Sequence, residues 1–374
     1  MKSYNICILH PNDNVYSETF IRAHIRRLPG HIFELYGGWF PVIQRKTGKK
    51  YIKKPFIFID KGLSQLLNKN IVFFRGKAFR EYLIMNKIDA VLAEYGQTGA
   101  TVESVFKTVN IPLIVHFHGG DAYCTDVLAK YLKQYQQLFT TAKAIIAVSN
   151  DMYHQLIHLG APENKVILNS CSVDMEIFKQ TRPDKNPPVF IAVGRFADKK
   201  APHLTIEAFR SVLQSVPEAK LIMIGDGPLF NMCKSLVEKY GMAESVILTG
   251  PLSHDNVKEK MQTARAFVQH SVRPANGDSE GTPVVILEAS ACGLPVISTK
   301  HAGIKDAVED NVTGFLSEEG DVDHMSASMI KIALNPSLAF EMGNAGRIKM
   351  MKEYNMPQHI MALFKIIENA ITGS

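Results

Sequence analysis

Residues 266–298 read AFVQHSVRPANGDSEGTPVVILEASACGLPVIS. The apolar stretch AFVQHS (266–271) predicts a strand that runs into a polar loop. A helical stretch follows from Thr282, which suits an N-cap, with Pro283 at the first helical position and Gly293 as the stop after Cys292. LPVIS (294–298) then opens a second strand. Strand, helix and apolar strand in that order make a βαβ unit with parallel strands. Two glutamates bracket the helix start, Glu280 just outside it and Glu288 on its second turn. Carboxylates repel phosphate, whereas the free N–H groups of a helix start attract it. Both tendencies are met by a ligand whose anionic group is flanked by neutral hydroxyls. The amides at 282–285 would take the anion, Gly281 would let it approach the backbone, and Glu280 and Glu288 would accept from the hydroxyls. A loop acid and a helix residue paired with a lysine are the plain alternatives.

The same alternation extends over the whole chain. Strands are predicted at 5–10, 33–37, 90–96, 113–119, 145–149 and 166–170, then at 189–194, 220–225, 246–250, 266–271, 294–298 and 313–317. These runs are continuously apolar and not alternating, which means strands buried on both faces. With helices between them, such as 17–28 and 125–139, they predict parallel sheets. RPDKNPP (182–188) can extend neither a helix nor a central strand and marks the domain break. The expected fold class is therefore α/β, two doubly wound Rossmann-like domains, the first ending at residue 181 and the second beginning at 182. If the two sheets face each other, the carboxyl ends of their strands border a cleft.

A length of 374 residues with 46% hydrophobic and 21% charged residues fits two globular domains. No run of about 18 apolar residues occurs, which excludes a membrane-spanning helix, and MKSYNICILHPND opens as a strand and not as a signal peptide. Five scattered cysteines without a CxxC pair fit thiols in a reducing cytoplasm. The net charge of +6 is uneven: residues 1–186 carry +9 and residues 187–374 carry −3. RKTGKKYIKK (45–54) holds six cations, with aromatics nearby in GGWF (37–40) and PFIF (55–58). A solvated loop is the plain reading, and a surface facing anionic lipid or an anionic acceptor is the sharper one. Nucleic acid is not expected, because no recognition motif accompanies the charge.

Ligands of open parallel sheets bind beyond the carboxyl ends of strands. After 189–194 come Gly194, Arg195 and, five residues on, Lys200; two cations converging there can neutralise a diphosphate without metal. Two unrelated surface cations are the alternative. Gly225, Asp226 and Gly227 form a tight turn after 220–225. After 113–119, His118 is followed by two glycines and Asp121. Asp321-Val322-Asp323 mimics a metal-binding pair but sits at a predicted helix start, so Asp321 is read as an N-cap and no metal is expected.

In VGRFADKKAP, SEGTPVVILEASACGLPVIST and AGIKDAVEDNVTGFL, three spaced motifs in order, the chain resembles GT-B glycosyltransferases, most closely glycosyltransferase family 4. NSCSVDMEIF (169–178) resembles the family's hinge segment. The resemblance implies that the 357–371 helix crosses back, so that 357–374 joins the first, acceptor-binding domain, and that 182–356 binds the donor. It implies a metal-independent, retaining hexosyl transfer from a UDP- or GDP-linked sugar, a co-substrate and not a cofactor, to a saccharide or lipid-linked saccharide. Arg195 and Lys200 would hold the pyrophosphate, Glu280 the donor sugar and Glu288 the ribose. Gly194, Gly281, Thr282, Pro283 and Val284 would line the donor site, with Gly225, Asp226, Gly227, Gly250 and Leu252 bordering the nucleoside. His118 would position a sugar hydroxyl, and Asp121, Ser17 and Glu18 would lie on the acceptor side. The chain departs from the family in reading EGTP where EGFG is common, and HPNDNVYSETF where a glycine pair is common. SETFI after the first strand resembles enzymes of bacterial exopolysaccharide and lipopolysaccharide assembly, a cytoplasmic role with peripheral membrane contact. A sugar-nucleotide epimerase, a transferase acting on a soluble small acceptor, and a silent sugar-nucleotide-binding subunit are the competing expectations.

Overall fold

A computed structural model describes residues 2–13, 18–67 and 72–373. The chain forms two compact units, Met1–Ser170 with Pro357–Ser374, and Cys171–Met356.

The first unit is built on a seven-stranded sheet. Its strands are β1 (Asn5–Leu9), β2 (His31–Tyr36), β3 (Ile43–Gln44), β4 (Ala90–Glu94), β5 (Leu113–His116), β6 (Ala144–Ala147) and β7 (Val166–Leu168). Their order is β3-β2-β1-β4-β5-β6-β7, and every pairing is parallel except the short β2–β3 ribbon. The second unit carries β8 (Val189–Val193), β9 (Lys220–Ile224), β10 (Val246–Gly250), β11 (Ala266–Val268), β12 (Val296–Thr299) and β13 (Gly314–Ser317). These lie in the order β10-β9-β8-β11-β12-β13, all parallel.

The sequence reason is burial on both faces. Every residue of β4, β5, β6, β11, β12 and β13 is buried. Each fully buried Ile, Leu or Val in them contributes about 1.5–3 kcal/mol. In each sheet the winding reverses once, between β1 and β4 and between β8 and β11. Such reversals open a crevice at the strand ends, and the candidate residues follow these strands.

The helix Met356–Thr372 belongs with the first unit. Ile360, Leu363, Phe364 and Ile367, spaced three or four apart, form its buried stripe, and Phe364 meets Tyr4 at 6.2 Å between ring centroids. The division between units falls at Ser170/Cys171, earlier than the proline-rich break at 182. Residues 171–181 pack with the second unit instead of the first. Val173 N–H donates to Tyr354 O, Thr181 N–H to Cys292 O, and Arg347 Nη1 to Phe178 O.

Candidate active site

In the second unit the reversal point is crowded with charge. β8 ends at Val193, and Gly194 and Arg195 carry the chain over the sheet edge into a short 3-10 turn, Asp198–Lys200. Gly225 ends β9 beside it, at φ +136° and so close that a Cβ would lie 2.0 Å from Gly194 O. Only glycine fits there. Gly194, Arg195, Lys200, Thr205 and Gln269 line a shallow, open hollow whose floor is apolar, with Phe196, Met223 and Ile224. Arg195 is exposed at its mouth. Lys200 Nζ donates to Gln269 Oε1 at 3.1 Å and stands 3.0 Å from Glu280 Oε1. Burial pushes the Glu280 carboxyl up, but Lys200, Lys199 and His301 outweigh it and hold it below its ordinary range. Glu280 is therefore an ionised, buried carboxylate paired with Lys200, which itself lines the hollow.

The Glu280 loop is gripped from behind. Glu280 N–H donates to His301 Nε2 at 3.3 Å, Ser279 Oγ lies 3.2 Å from the same nitrogen, and His301 Nδ1 meets Glu319 Oε1 at 2.5 Å. The helix after the loop runs Val284–Ala291, with Pro283 as its N-cap. The cap falls one residue later than the expected Thr282, whose hydroxyl accepts from Cys171 N–H at 3.2 Å. Glu288 is buried, and burial raises its carboxyl to about 8. It is not paired with a lysine; its near neighbour is His254, whose Nε2 lies 3.6 Å away. Asp226 Oδ1 accepts from Gly227 N–H within its own turn, and Gly250 O accepts from Gly225 N–H, while Leu252 is half-buried beyond β10. Asp321 caps its helix as read, accepting from His324 N–H at 2.9 Å.

In the first unit His118 follows β5 and is nearly sealed, with Nε2 at 2.7 Å from Glu94 Oε2. Asp121 is a loop-fixing group and not a free acid: its carboxylate accepts from the backbone N–H groups of Gly96, His118 and Gly119. Glu18 accepts from Asn12 Nδ2 at 2.6 Å and Tyr95 OH at 2.7 Å. Ser17 lies outside the described residues. Sequence reasoning missed Glu94, His24, His116 and His359 here, and Gln269, His301 and Glu319 in the second unit. A glutamate inside the otherwise apolar strand AVLAE was the legible signal, since a buried carboxylate requires partners. Three non-glycine residues with positive φ flank these groups: Tyr95 (+72°) after Glu94, Ala201 (+34°) after Lys200, and Ala302 (+40°) after His301. Such conformations persist only where surroundings impose them.

Two family models match the chain, Glycosyltransferase Family 4 over residues 48–177 and Glycosyl transferases group 1 over 173–349. The amylovoran biosynthesis glycosyltransferase AmsK of Erwinia amylovora is 30% identical over 276 residues, 73% of this chain and 67% of that protein. The chain is a group 1, family 4 glycosyltransferase by descent. The putative colanic acid biosynthesis glycosyltransferase WcaL of Escherichia coli K12 is 32% identical to this family 4 member over 63% of the chain and 59% of WcaL. The alignments thus span about three-fifths to two-thirds of the relatives' lengths. The structure of Anabaena HepE in complex with UDP and glucose superposes with a TM-score of 0.76 at 15% identity, covering 98% of this chain and all of that one. The family 4 member thus has the two-unit GT-B fold.

Proposed function

We propose that the protein transfers a hexose, with retention, from a nucleoside-diphosphate sugar to a saccharide or lipid-linked saccharide during cell-surface polysaccharide assembly. The observation that carries this is that Arg195 and Lys200 line one strand-end hollow while ionised Glu280 is paired with Lys200. Fixed cations beside a helix start stabilise a departing diphosphate, while the carboxylate accepts from the sugar. Retention is what the resemblance to family 4 implies; in the first unit Glu94, Asp121 and Glu18 each accept hydrogen bonds from neighbouring groups. The names of the relatives, in amylovoran and colanic acid biosynthesis, support the polysaccharide setting.

Peripheral membrane contact is part of the proposal. The helix Lys54–Leu67 turns Asp60 inward, where it accepts from the N–H groups of Phe74 and Arg75, and shows Phe56, Phe58, Ile59, Leu63 and Leu66 to the outside. Lys46, Lys49, Lys50, Lys53 and Lys54 are exposed beside it. Arg45, counted with them in sequence, is instead paired with Glu34 and Asp13, and Phe40 is buried. Among the described residues no helix is long and apolar enough to cross a membrane.

The test is product release. UDP- and GDP-sugars are screened for thermal stabilisation, and the stabilising donor is incubated with and without glycan acceptors. Nucleoside diphosphate should appear only with acceptor, and should persist in EDTA. Arg195→Ala and Lys200→Ala should each lose about 3–4 kcal/mol of transition-state stabilisation. Turnover within about twofold of wild type for both variants contradicts the diphosphate site.

A further inference from the structure

Glu94 ends β4 and is fully buried. Burial alone would raise its carboxyl, yet His24, His116 and His118 hold it well below the ordinary range. An ionised carboxylate can only accept hydrogen bonds. The two 2.7 Å contacts, from His24 Nδ1 to Oε1 and from His118 Nε2 to Oε2, therefore carry their protons on the histidines. His24 Nε2 lies 3.0 Å from His359 Nε2, which continues the chain to the returning helix Met356–Thr372. Tyr95, held at φ +72°, fixes the backbone after Glu94, and its hydroxyl is tied to Glu18.

The spacing of His24, Glu94 and His116, with ligand atoms within 4.8 Å of one another, also invites a cation. Contacts of 2.7 Å are hydrogen-bond lengths, however. Tetrahedral ligands bonded at about 2.0 Å to zinc sit roughly 3.3 Å apart. A hydrogen bond accounts for the His24–Glu94 pair, while His116 Nδ1 stands 3.4 Å from Glu94 Oε2.

His118 Nδ1 is left buried with no hydrogen-bond partner. Leaving a buried polar atom unpaired is costly, so a site that maintains one is suited to a ligand that satisfies it. Phe20 packs on the ring at 4.2 Å between centroids and His116 at the same separation, which restrains the imidazole plane. We propose that Glu94 is a positioning residue for His118: it keeps the proton on Nε2 and presents Nδ1 as an acceptor for a sugar hydroxyl. The proposal rests on the glycosyl-transfer reading above and names a partner within that machinery.

The decisive measurement is the tautomer of His118, by nitrogen NMR of the full chain labelled at histidine. At neutral pH the Nε2–H form is expected, lost or mixed in Glu94→Gln. Glucose or mannose offered to the full chain should shift the Nδ1 resonance in the sense of an accepted hydrogen bond, and free UDP or GDP should not. In turnover, His118→Ala and Glu94→Gln should each lower kcat about 3- to 10-fold, the worth of one hydrogen bond between neutral groups. Nucleoside diphosphate affinity should not change. The double variant should be no worse than the poorer single one, because both act through one contact. If Glu94→Gln fails to fold, the wild-type tautomer still decides. An Nδ1–H tautomer, multiplicative losses in the double variant, or one equivalent of tightly bound metal in the purified protein would overturn the proposal. Absence of transfer with every donor, while the tautomer is as expected, would instead strike the functional reading.

Discussion

Glu288 is chemically different from Glu280 although eight positions separate them in one motif. Lys200 keeps Glu280 ionised, whereas burial without a close cation raises Glu288 to about 8. Below its ordinary value Glu288 is protonated in folded and unfolded chains alike. Between about 4.5 and 8 the unfolded chain ionises first, so this residue's contribution falls as pH rises, on the order of 1.4 kcal/mol per pH unit across that window. Glu288→Gln should flatten that part of the stability profile, read by denaturant titration from pH 5 to 8. If ribose hydroxyls donate to the carboxylate, binding favours its ionised form and releases a proton. Calorimetry with UDP or GDP at pH 7, in two buffers of different ionisation enthalpy, should detect up to about one proton released, abolished in Glu288→Gln. Equal release in both proteins removes Glu288 from the nucleotide site.

At the scale of elements, strands and their parallel order were legible because six of them are buried on both faces and read as unbroken apolar runs. Two-residue β3 offered too little pattern to read. The positions of Arg195, Lys200 and Glu280 after their strands were also legible, because the apolar runs before them end plainly. What supports them was not. Thr282 has good local cap chemistry, but the cap position is Pro283, and the Thr282 hydroxyl accepts from Cys171 N–H, a contact that the local pattern does not show. His301 and Glu319 lie far along the chain from the Glu280 loop that they hold, and nothing local marks them. The carboxylate accepts from Nδ1–H, so Nε2 remains the acceptor for Glu280 N–H. His301→Phe removes that acceptor while keeping bulk. It should lower kcat about 10-fold or more, the worth of one lost buried hydrogen bond, with little change in diphosphate affinity. Restoration of much of the loss in His301→Gln would show that acceptance, not ring packing, is required; kcat unchanged in His301→Phe removes the loop grip from the mechanism.

At the scale of the whole molecule, charge and apolar surface coincide on one unit. The first unit, residues 1–170 with 357–374, holds 22 Lys and Arg against 13 Asp and Glu, a net +9, while 171–356 carries −3. The exposed lysines at 46–54 adjoin a helix whose inward face is pinned by the Asp60–Arg75 ion pair. Its outward residues Phe56, Ile59, Leu63 and Leu66 recur at three and four positions, and Phe58 is 67% exposed. A helix that tucks its acid inward and its aromatics outward has the polarity expected at a lipid surface, with each lysine near anionic headgroups adding about 1 kcal/mol. Sedimentation with anionic vesicles should therefore pull the protein down at low salt and release it as salt rises. Replacing Lys49, Lys50, Lys53 and Lys54 by Gln should abolish capture. Phe58→Ser with Leu66→Ser should weaken it and leave the residual binding more sensitive to salt, because the apolar share is then gone. Neutral vesicles serve as the control for apolar contact alone. Should the protein stay in the supernatant with anionic vesicles at low salt, the patch is a solvated surface, and the acceptor to seek is a soluble saccharide.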